Sequence, residues 1–528
     1  MAIDTTVLVV GAGPTGLLTA AELLRRGVEC TIIDAQPAPS TWDRATIVHP
    51  RSMEVFESLG IVQEFLDRGV KQYFARLHSA GDVLGDIDLS ICGSTYGFNI
   101  GISEEVTESI LTDYLHRQGG QVVRSSRLVK LEQTDGEVRA TIACNGEERI
   151  ITARWVVGCD GYRSTVRQQC GIDLIGNDLA DPWAVFDTTI KSWQQSHEAI
   201  YAYLDEIPVI LTSLPESRWR VYLRPSAPES DLMVDAATTL RRYLPSIEFA
   251  DVENPMRFRC HAKVAPRFRS GRVLLAGDAA HVCSPSQGHG MNSGIQDAFN
   301  LAWKLAHVCH GHCNEALLDS YEAERRPVAE KNARTGEEFE RAQDLTDPAA
   351  RRERNESIKA AFSDPKTRRH ESMAEAELDF NYVTSPIVMG DSHHHLGPGH
   401  RLPHLIPVSP NTDQARELHE LTHRTGHTAL LLGNSSTKLG DLAEIAISLT
   451  TFADEPILDA VIPLAEPDDP HQFAQYVSGD TLNEMGIADV TLLVVRPDGH
   501  IGLRANKDHA KALAGYVSQL TSGRRPQA

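Results

Sequence analysis

The stretch from Thr6 to Asp34, TVLVVGAGPTGLLTAAELLRRGVECTIID, leaves a chain few ways to fold. An apolar run of strand length stops at Gly11, a helix-periodic apolar stretch begins after Gly13, and a second apolar run ends on Asp34. That is a βαβ unit with G-x-G-x-x-G at Gly11, Gly13 and Gly16 in its first turn. The first glycine allows the tight turn, the second lets backbone amides approach a pyrophosphate at a positive helix end, and the third lets helix and strand pack closely. Asp34 ends the second strand at about the 20-residue distance where an acid accepts from a ribose hydroxyl. A bare glycine turn needs neither that acid nor the helix. The unit therefore points to dinucleotide binding, without telling NAD from FAD.

At 528 residues the chain exceeds what one core supports, so two or three domains are expected. A formal charge of -21 with no basic stripe speaks against a nucleic-acid partner, whose phosphates are held by clustered Lys and Arg. No apolar run approaches the ~18 residues of a membrane span, and MAIDTTVLVV lacks the basic flank of a secretion signal. A cytoplasmic protein with no membrane partner is expected. Nine cysteines, with no C-x-x-C pair and none after Cys313, suggest reduced, mostly buried thiols.

Beyond the first unit, RSMEVFESLG and SEEVTESILTDYLHRQGG read as helices, and QVVRSSRLVKLEQ and EVRATIACNGEERIITARWVVGCDG as paired strands. From Asp181 to Phe258 strand patterns dominate, including WRVYLRP, as in an antiparallel sheet. The charged stretch from Leu318 to Leu378 reads as solvated helices, CHGHC at Cys309 to Cys313 as the continuation of a buried helix, and GDSHHHLGPGHRLPHLIP as a boundary near residue 390. The expected fold class is α/β: a Rossmann-like unit with following helices in 1–73, 99–180 and 259–390, an interleaved antiparallel-sheet domain in 74–98 and 181–258, and a small α/β domain in 391–528.

Two further strands stop on a corner of glycine and carboxylate: VVGCDGYRSTVR at Asp160-Gly161, and LLAGDAAH at Gly277-Asp278. One such corner is usually a turn, yet the carboxyl edge of an open α/β sheet is where ligands bind. After the second corner comes a loop with Pro285, Gly288 and Gly290, then a helix opening near Met291 and Asn292. Three signals in this order and spacing resemble the class A flavoprotein aromatic hydroxylases, the family of p-hydroxybenzoate hydroxylase, phenol hydroxylase and the polyketide hydroxylases. The resemblance runs over the whole chain.

It implies FAD as cofactor, with Gly11, Gly13, Thr15, Gly16 and Asp34 at the adenosine and pyrophosphate end, Arg44 as the flavin-contacting arginine, and Asp160, Gly161 and Asp278 as the family's second and third motifs. Pro285 would wall the ring, Gly288 and Gly290 would admit backbone to it, and the amides around Met291 and Asn292 would favour a negatively charged reduced ring. NADPH or NADH as co-substrate is implied, with molecular oxygen and a flavin C4a-hydroperoxide that hydroxylates a phenolic or polycyclic aromatic substrate. Epoxidation, oxidative decarboxylation and Baeyer-Villiger oxidation use the same flavin chemistry. A non-catalytic flavoprotein binding an aromatic ligand would carry the same motifs. The protein must add a dry cavity and a group that draws a phenol toward phenolate. Candidates are Tyr222, His49 and His289, and the expected cavity wall is the sheet from Asp181 to Phe258 with Phe74 to Phe98.

The chain departs from the family in three places. Gln287-Gly288-His289-Gly290 stands where Gly-Gly-Gln-Gly is usual, Ser103-Glu104 where Pro-Gln is usual, leaving that FAD contact to Glu104, and Asp34 replaces the commoner glutamate. The C-terminal part resembles the thioredoxin-like domain of phenol and polyketide hydroxylases, but without cysteine it has no thiol chemistry. A structural or dimer-forming role is left to it, and a homodimer stays open. Neither SHHHLGPGH nor CHGHC has metal-ligand spacing with carboxylates or paired cysteines, so no metal is expected.

Overall fold

The computed structural model describes residues 3–39, 45–144, 146–179, 182–191, 193, 195–284, 288–345, 347–390, 396–408, 416–434, 437, 439–450, 457–465, 476–487 and 489–522. Strand Thr5–Val10 is buried at nearly every position because both faces of its sheet are covered, so it is apolar almost throughout instead of alternating. It pairs in parallel with Cys30–Ile33 on one side and Glu147–Gly158 on the other, Val10 lying opposite both Ile33 and Gly158. Val122–Val123 and Val273–Leu275 extend the parallel sheet outward. Val138–Cys144 and Ser126–Gln133 hang from Glu147–Gly158 as antiparallel neighbours. The carboxyl ends at Val10, Gly158 and Leu275 thus meet on one edge, each leading into a glycine corner.

Two helices start at this edge, Pro14–Arg25 and the long His289–Cys309, and they pack on each other. Their approach is close. A Cβ at Gly277 would meet Thr15 Oγ1 at 2.6 Å, and one at Gly294 would meet it at 2.2 Å. Thr15 is therefore wedged between the last corner and the second turn of the long helix.

The second sheet has seven strands in the order Glu248–Phe258, Trp183–Lys191, Arg218–Leu223, Val209–Leu214, Ala199–Tyr203, Phe74–Ser79, Asp82–Asp88. Its neighbours are antiparallel except for Ala199–Tyr203 with Phe74–Ser79. Helix Leu232–Leu240 covers one face through Leu232, Ala236 and Leu240, while Ile210 and Tyr222 belong to the apolar cluster on the other.

The charged stretch forms helices Asp319–Gln343, Pro348–Ser363 and Pro365–Glu375. The middle one is solvated, as its charge suggests, but the first buries Glu324, Arg325 and Glu340 against the rest of the molecule. CHGHC does not continue the long helix: that helix ends at Cys309, and Gly311, at φ 75°, turns the chain away. All nine cysteines are free, and only Cys92, Cys260 and Cys313 are buried, fewer than expected.

A five-stranded C-terminal sheet runs in the order Met389–Gly390, Ile501–Ala505, Thr491–Val495, His427–Gly433, Leu458–Ala465. Buried charges fasten it to the helices. Arg496 donates to Glu324 Oε1 at 2.7 Å and Oε2 at 2.8 Å, Lys304 Nζ donates to Glu324 at 2.7 Å, and Trp303 Nε1 donates to Asp498 at 3.1 Å. The Lys304, Glu324 and Arg496 side chains have no exposure. Burial pushes the Lys304 ammonium down to about 8 against the pull of Glu324. No helix among the described residues is long and apolar enough to cross a membrane.

Candidate active site

Where the carboxyl edge of the first sheet faces the seven-stranded sheet, the two enclose a cavity of about 360 Å³. One wall is mostly backbone: Gly13 and Thr15 at the start of the first helix, and Gly288, Gly290 and Met291 at the start of the long one. Both helices begin with no side-chain cap and no acid in the first turn, so their positive ends are presented to the cavity. A Cβ at Gly13 would find only Glu108 Oε1, at 3.9 Å, and one at Gly290 would find nothing within 4 Å. Asp278 reaches the same space from the turn Gly277–Ala279, and no described residue hydrogen-bonds its carboxylate. Two open helix ends beside a carboxylate acceptor are what a diphosphate and sugar hydroxyls require, so these residues fit FAD.

The opposite wall is made of side chains. Ile210 lies directly across from Tyr222 in the sheet, the two-residue period puts Thr212 on that same face, and Phe258 adds a ring. The Tyr222 hydroxyl hydrogen-bonds Thr46 Oγ1 at 3.0 Å, and Thr212 Oγ1 accepts from Gln72 Nε2 at 2.8 Å. Cys283 also lines the space, but burial beside Asp278 pushes its thiol up to about 12, which leaves it protonated and inert.

Behind the backbone wall, Asp297 Oδ2 accepts from the Gly277 amide at 3.0 Å and lies 2.6 Å from His281 Nε2, while Oδ1 accepts from Arg325 Nε at 2.7 Å. Burial works to raise the Asp297 pKa, but His281 and Arg325 outweigh it and hold the carboxyl below its usual range. This anchor fixes the corner that carries Asp278.

Of the residues singled out from sequence, Gly13, Thr15, Glu104, Gly161, Tyr222, Asp278, Gly288, Gly290 and Met291 come together at the cavity. Glu104 Oε2 there accepts from the Ala45 amide at 3.3 Å. Gly11 and Gly16 stand behind it: Gly11 has φ 101° and a Cβ there would lie 2.3 Å from Cys159 O, while one at Gly16 would lie 1.9 Å from Gly11 O. Asp34 does not line the cavity. Its carboxylate clasps the turn, accepting from the Ala12 and Gln36 amides, each at 2.7 Å. Asp160 likewise turns inward, accepting from Ser164 Oγ and, at 3.0 Å, from the Val166 amide, and burial raises its pKa. The Asn292 side chain ties backbone together, accepting from His49 N at 2.9 Å and donating to Ile47 O at 2.9 Å and Gly288 O at 2.8 Å.

Two of the three candidate activating residues are not among those lining the cavity. His49 is fully buried, with Nδ1 3.1 Å from Asn99 Oδ1. His289 points away from the cavity, its Nδ1 3.0 Å from Glu377 Oε1. Burial lowers the His289 pKa, but Glu377, Glu375 and Asp379 outweigh it and raise it overall. No described residue of 74–98 lines the cavity, because those strands form the far edge of the sheet. Arg44 and Pro285 lie outside the described residues. The expected wall from Asp181 to Phe258 supplies Thr212 and Phe258 without having singled them out, and sequence reasoning missed Asp297. Strand alternation in VILTSL marks Thr212, whereas nothing local marks Asp297, whose partners are distant in the chain.

A family model described as an FAD binding domain matches residues 4–335, a span that contains both walls. The chain belongs to this family of FAD-dependent aromatic monooxygenases. The monooxygenase is 36% identical over 339 residues to pentachlorophenol 4-monooxygenase of Sphingobium chlorophenolicum, an alignment that spans 62% of this chain and 63%, less than two thirds, of that relative. It is 30% identical over 529 residues to 6-methylpretetramide 4-monooxygenase of Streptomyces rimosus, covering 97% of this chain and 93% of the relative. The solved structure of OxyS anhydrotetracycline hydroxylase from Streptomyces rimosus matches with a TM-score of 0.75 at 27% identity, covering 99% of this chain and 100% of that one. The α/β hydroxylase fold and FAD as cofactor accord with the cavity's geometry.

Proposed function

We propose that this flavoprotein uses NAD(P)H and molecular oxygen to hydroxylate a phenolic ring of a polycyclic aromatic substrate. The observation that carries the reading is the pairing of a backbone wall shaped for FAD with a facing wall of side chains that holds the oriented phenol of Tyr222. Near full-length likeness to enzymes named for 6-methylpretetramide and anhydrotetracycline supports a polycyclic substrate over a single ring. Bound FAD supplies the redox chemistry, taking electrons from NAD(P)H and activating oxygen for transfer of one atom.

The chain's own residues do the rest. The two open helix ends stabilise negative charge on the cofactor, and Gly288 and Gly290 let backbone lie against it. Ile210 and Phe258 keep water from the reacting face. A Tyr222 hydroxyl that donates to Thr46 accepts from the substrate's hydroxyl and draws it toward phenolate. We assign the cofactor unit to 1–73, 99–180 and 259–390, the substrate sheet to 74–98 and 181–258, and a thioredoxin-like scaffold to 391–528. Its parallel pair followed by two antiparallel pairs supports that last assignment. A cytoplasmic setting is supported by nine free cysteines.

The test is NADPH and NADH oxidation by the FAD-loaded protein with a panel of single-ring and polycyclic phenols, followed by mass spectrometry. Stimulated oxidation with a product heavier by one oxygen atom is expected. Flavin-loaded protein that no aromatic compound stimulates would overturn the enzyme reading, and a product that has lost carbon dioxide or expanded a ring would replace hydroxylation by another oxygenation.

A further inference from the structure

Far from the cavity, helix Pro50–Ser58 presents Glu54 and Glu57 to the C-terminal part of the chain. There the rings of His404 and His419 stack with centroids 3.4 Å apart. Glu57 Oε2 lies 3.1 Å from His419 Nε2 and 3.9 Å from His404 Nδ1, and both imidazoles are only 5% exposed. One ligand atom from each of these three residues falls within 4.8 Å of the others.

His404 Nε2 is 3.6 Å from Glu54 Oε1 and His419 Nδ1 is 3.4 Å from Glu417 Oε2. At these distances the Glu54 and Glu417 carboxylates face the two imidazoles electrostatically, without a hydrogen bond to His419 Nδ1. His404 Nδ1 is buried with no hydrogen-bond partner. The nearby guanidiniums of Arg51 and Arg401 are each engaged with Glu54 at 2.9 Å. A cavity of about 30 Å³ adjoins His404, His419 and His423, with room for a water as a further ligand.

We propose that Glu57, His404 and His419 bind one divalent transition-metal ion of the zinc type, joining helix Pro50–Ser58 to the C-terminal part. Two imidazoles and one carboxylate suit Zn²⁺ or Co²⁺, whereas Mg²⁺ and Ca²⁺ require oxygen ligands. On binding, the stacked rings swing apart so that both nitrogens reach about 2.1 Å from the ion. The site is separate from the active-site cavity.

The FAD-loaded full chain, stripped with chelator, is titrated with Zn²⁺ alone and with Co²⁺ alone. Expected are one metal equivalent retained through gel filtration, a tetrahedral Co²⁺ spectrum and a raised melting temperature. His404→Ala, His419→Ala and the near-isosteric Glu57→Gln each weaken binding by at least about tenfold while FAD content is unchanged. Replacing His393, His394 and His395 by alanine leaves binding intact. No stoichiometric metal in the wild type, binding that survives in Glu57→Gln and both histidine variants, or binding abolished by the His393–His395 replacement would each overturn the proposal.

Discussion

The two walls of the active-site cavity are built by different means. The cofactor wall is backbone, backed by Gly11, Gly16 and Gly277, where a single Cβ would collide, and held from behind by Asp297 between His281 and Arg325. The substrate wall is one face of a sheet on which Ile210, Thr212 and Tyr222 occupy positions that a strand offers to any side chain. The first cannot change without the fold changing. The second can be altered residue by residue, which lets a single flavin scaffold serve different aromatic rings.

Breaking the backbone wall has the largest expected effect. Gly16→Ala sets a methyl group 1.9 Å from Gly11 O and should cost about 4 kcal/mol or more, read as a lowered melting temperature and elution without flavin. A yellow variant with wild-type stability would show that this wall is not rigid. Next, Asp297→Asn leaves the fully buried Arg325 without its countercharge, a loss of about 3–5 kcal/mol in urea unfolding. Because the folded Asp297 pKa lies below the ordinary 3.8, its stabilisation is present above that value and is lost as pH falls through the depressed folded value.

On the substrate wall, Tyr222→Phe should leave flavin content and melting temperature unchanged while hydroxylated product per NAD(P)H falls on the order of 10²-fold. Wild-type coupling would remove Tyr222 from the reaction. The smallest effect concerns His289, which touches neither wall's working face. Its folded pKa is raised above the ordinary 6.5, so the pair with Glu377 stabilises fully below 6.5 and fades as pH rises through the folded value. Wild type should exceed His289→Gln by about 1 kcal/mol near pH 6, with a smaller gap near pH 9. A gap independent of pH would contradict a titrating His289.

The contrast also explains what could be read without coordinates. Gly13, Gly288, Gly290 and the helix starts beside them are local statements, since turn, close approach and helix all follow from neighbouring residues. Strands Thr5–Val10, Glu147–Gly158 and Val273–Leu275 of the parallel sheet were legible for the same reason, each finishing in apolar residues that lead into a glycine corner. Asp34 and Asp160 were assigned to the cofactor from position alone, and what the structure shows of them is that each carboxylate also clasps the amides of its own turn. His289 was misplaced because its orientation depends on Glu377, which follows a helix that no local pattern near the loop announces. The substrate wall joins Ile210, Tyr222 and Phe258 through sheet register, so the sheet from Asp181 to Phe258 was expected as a whole while its individual lining residues, Tyr222 apart, were not.

Arg496, reaching from the C-terminal sheet to Glu324 and flanked by Lys304 and Trp303, bears on how this protein can be dissected. A truncation ending at residue 390 would not yield a smaller working catalyst. It would strip the guanidinium from a carboxylate sealed in the interior, and the shortened product should collect in inclusion bodies. Any transplant of the flavin-bearing portion into another chain must carry along the bend that supplies Arg496 and Asp498.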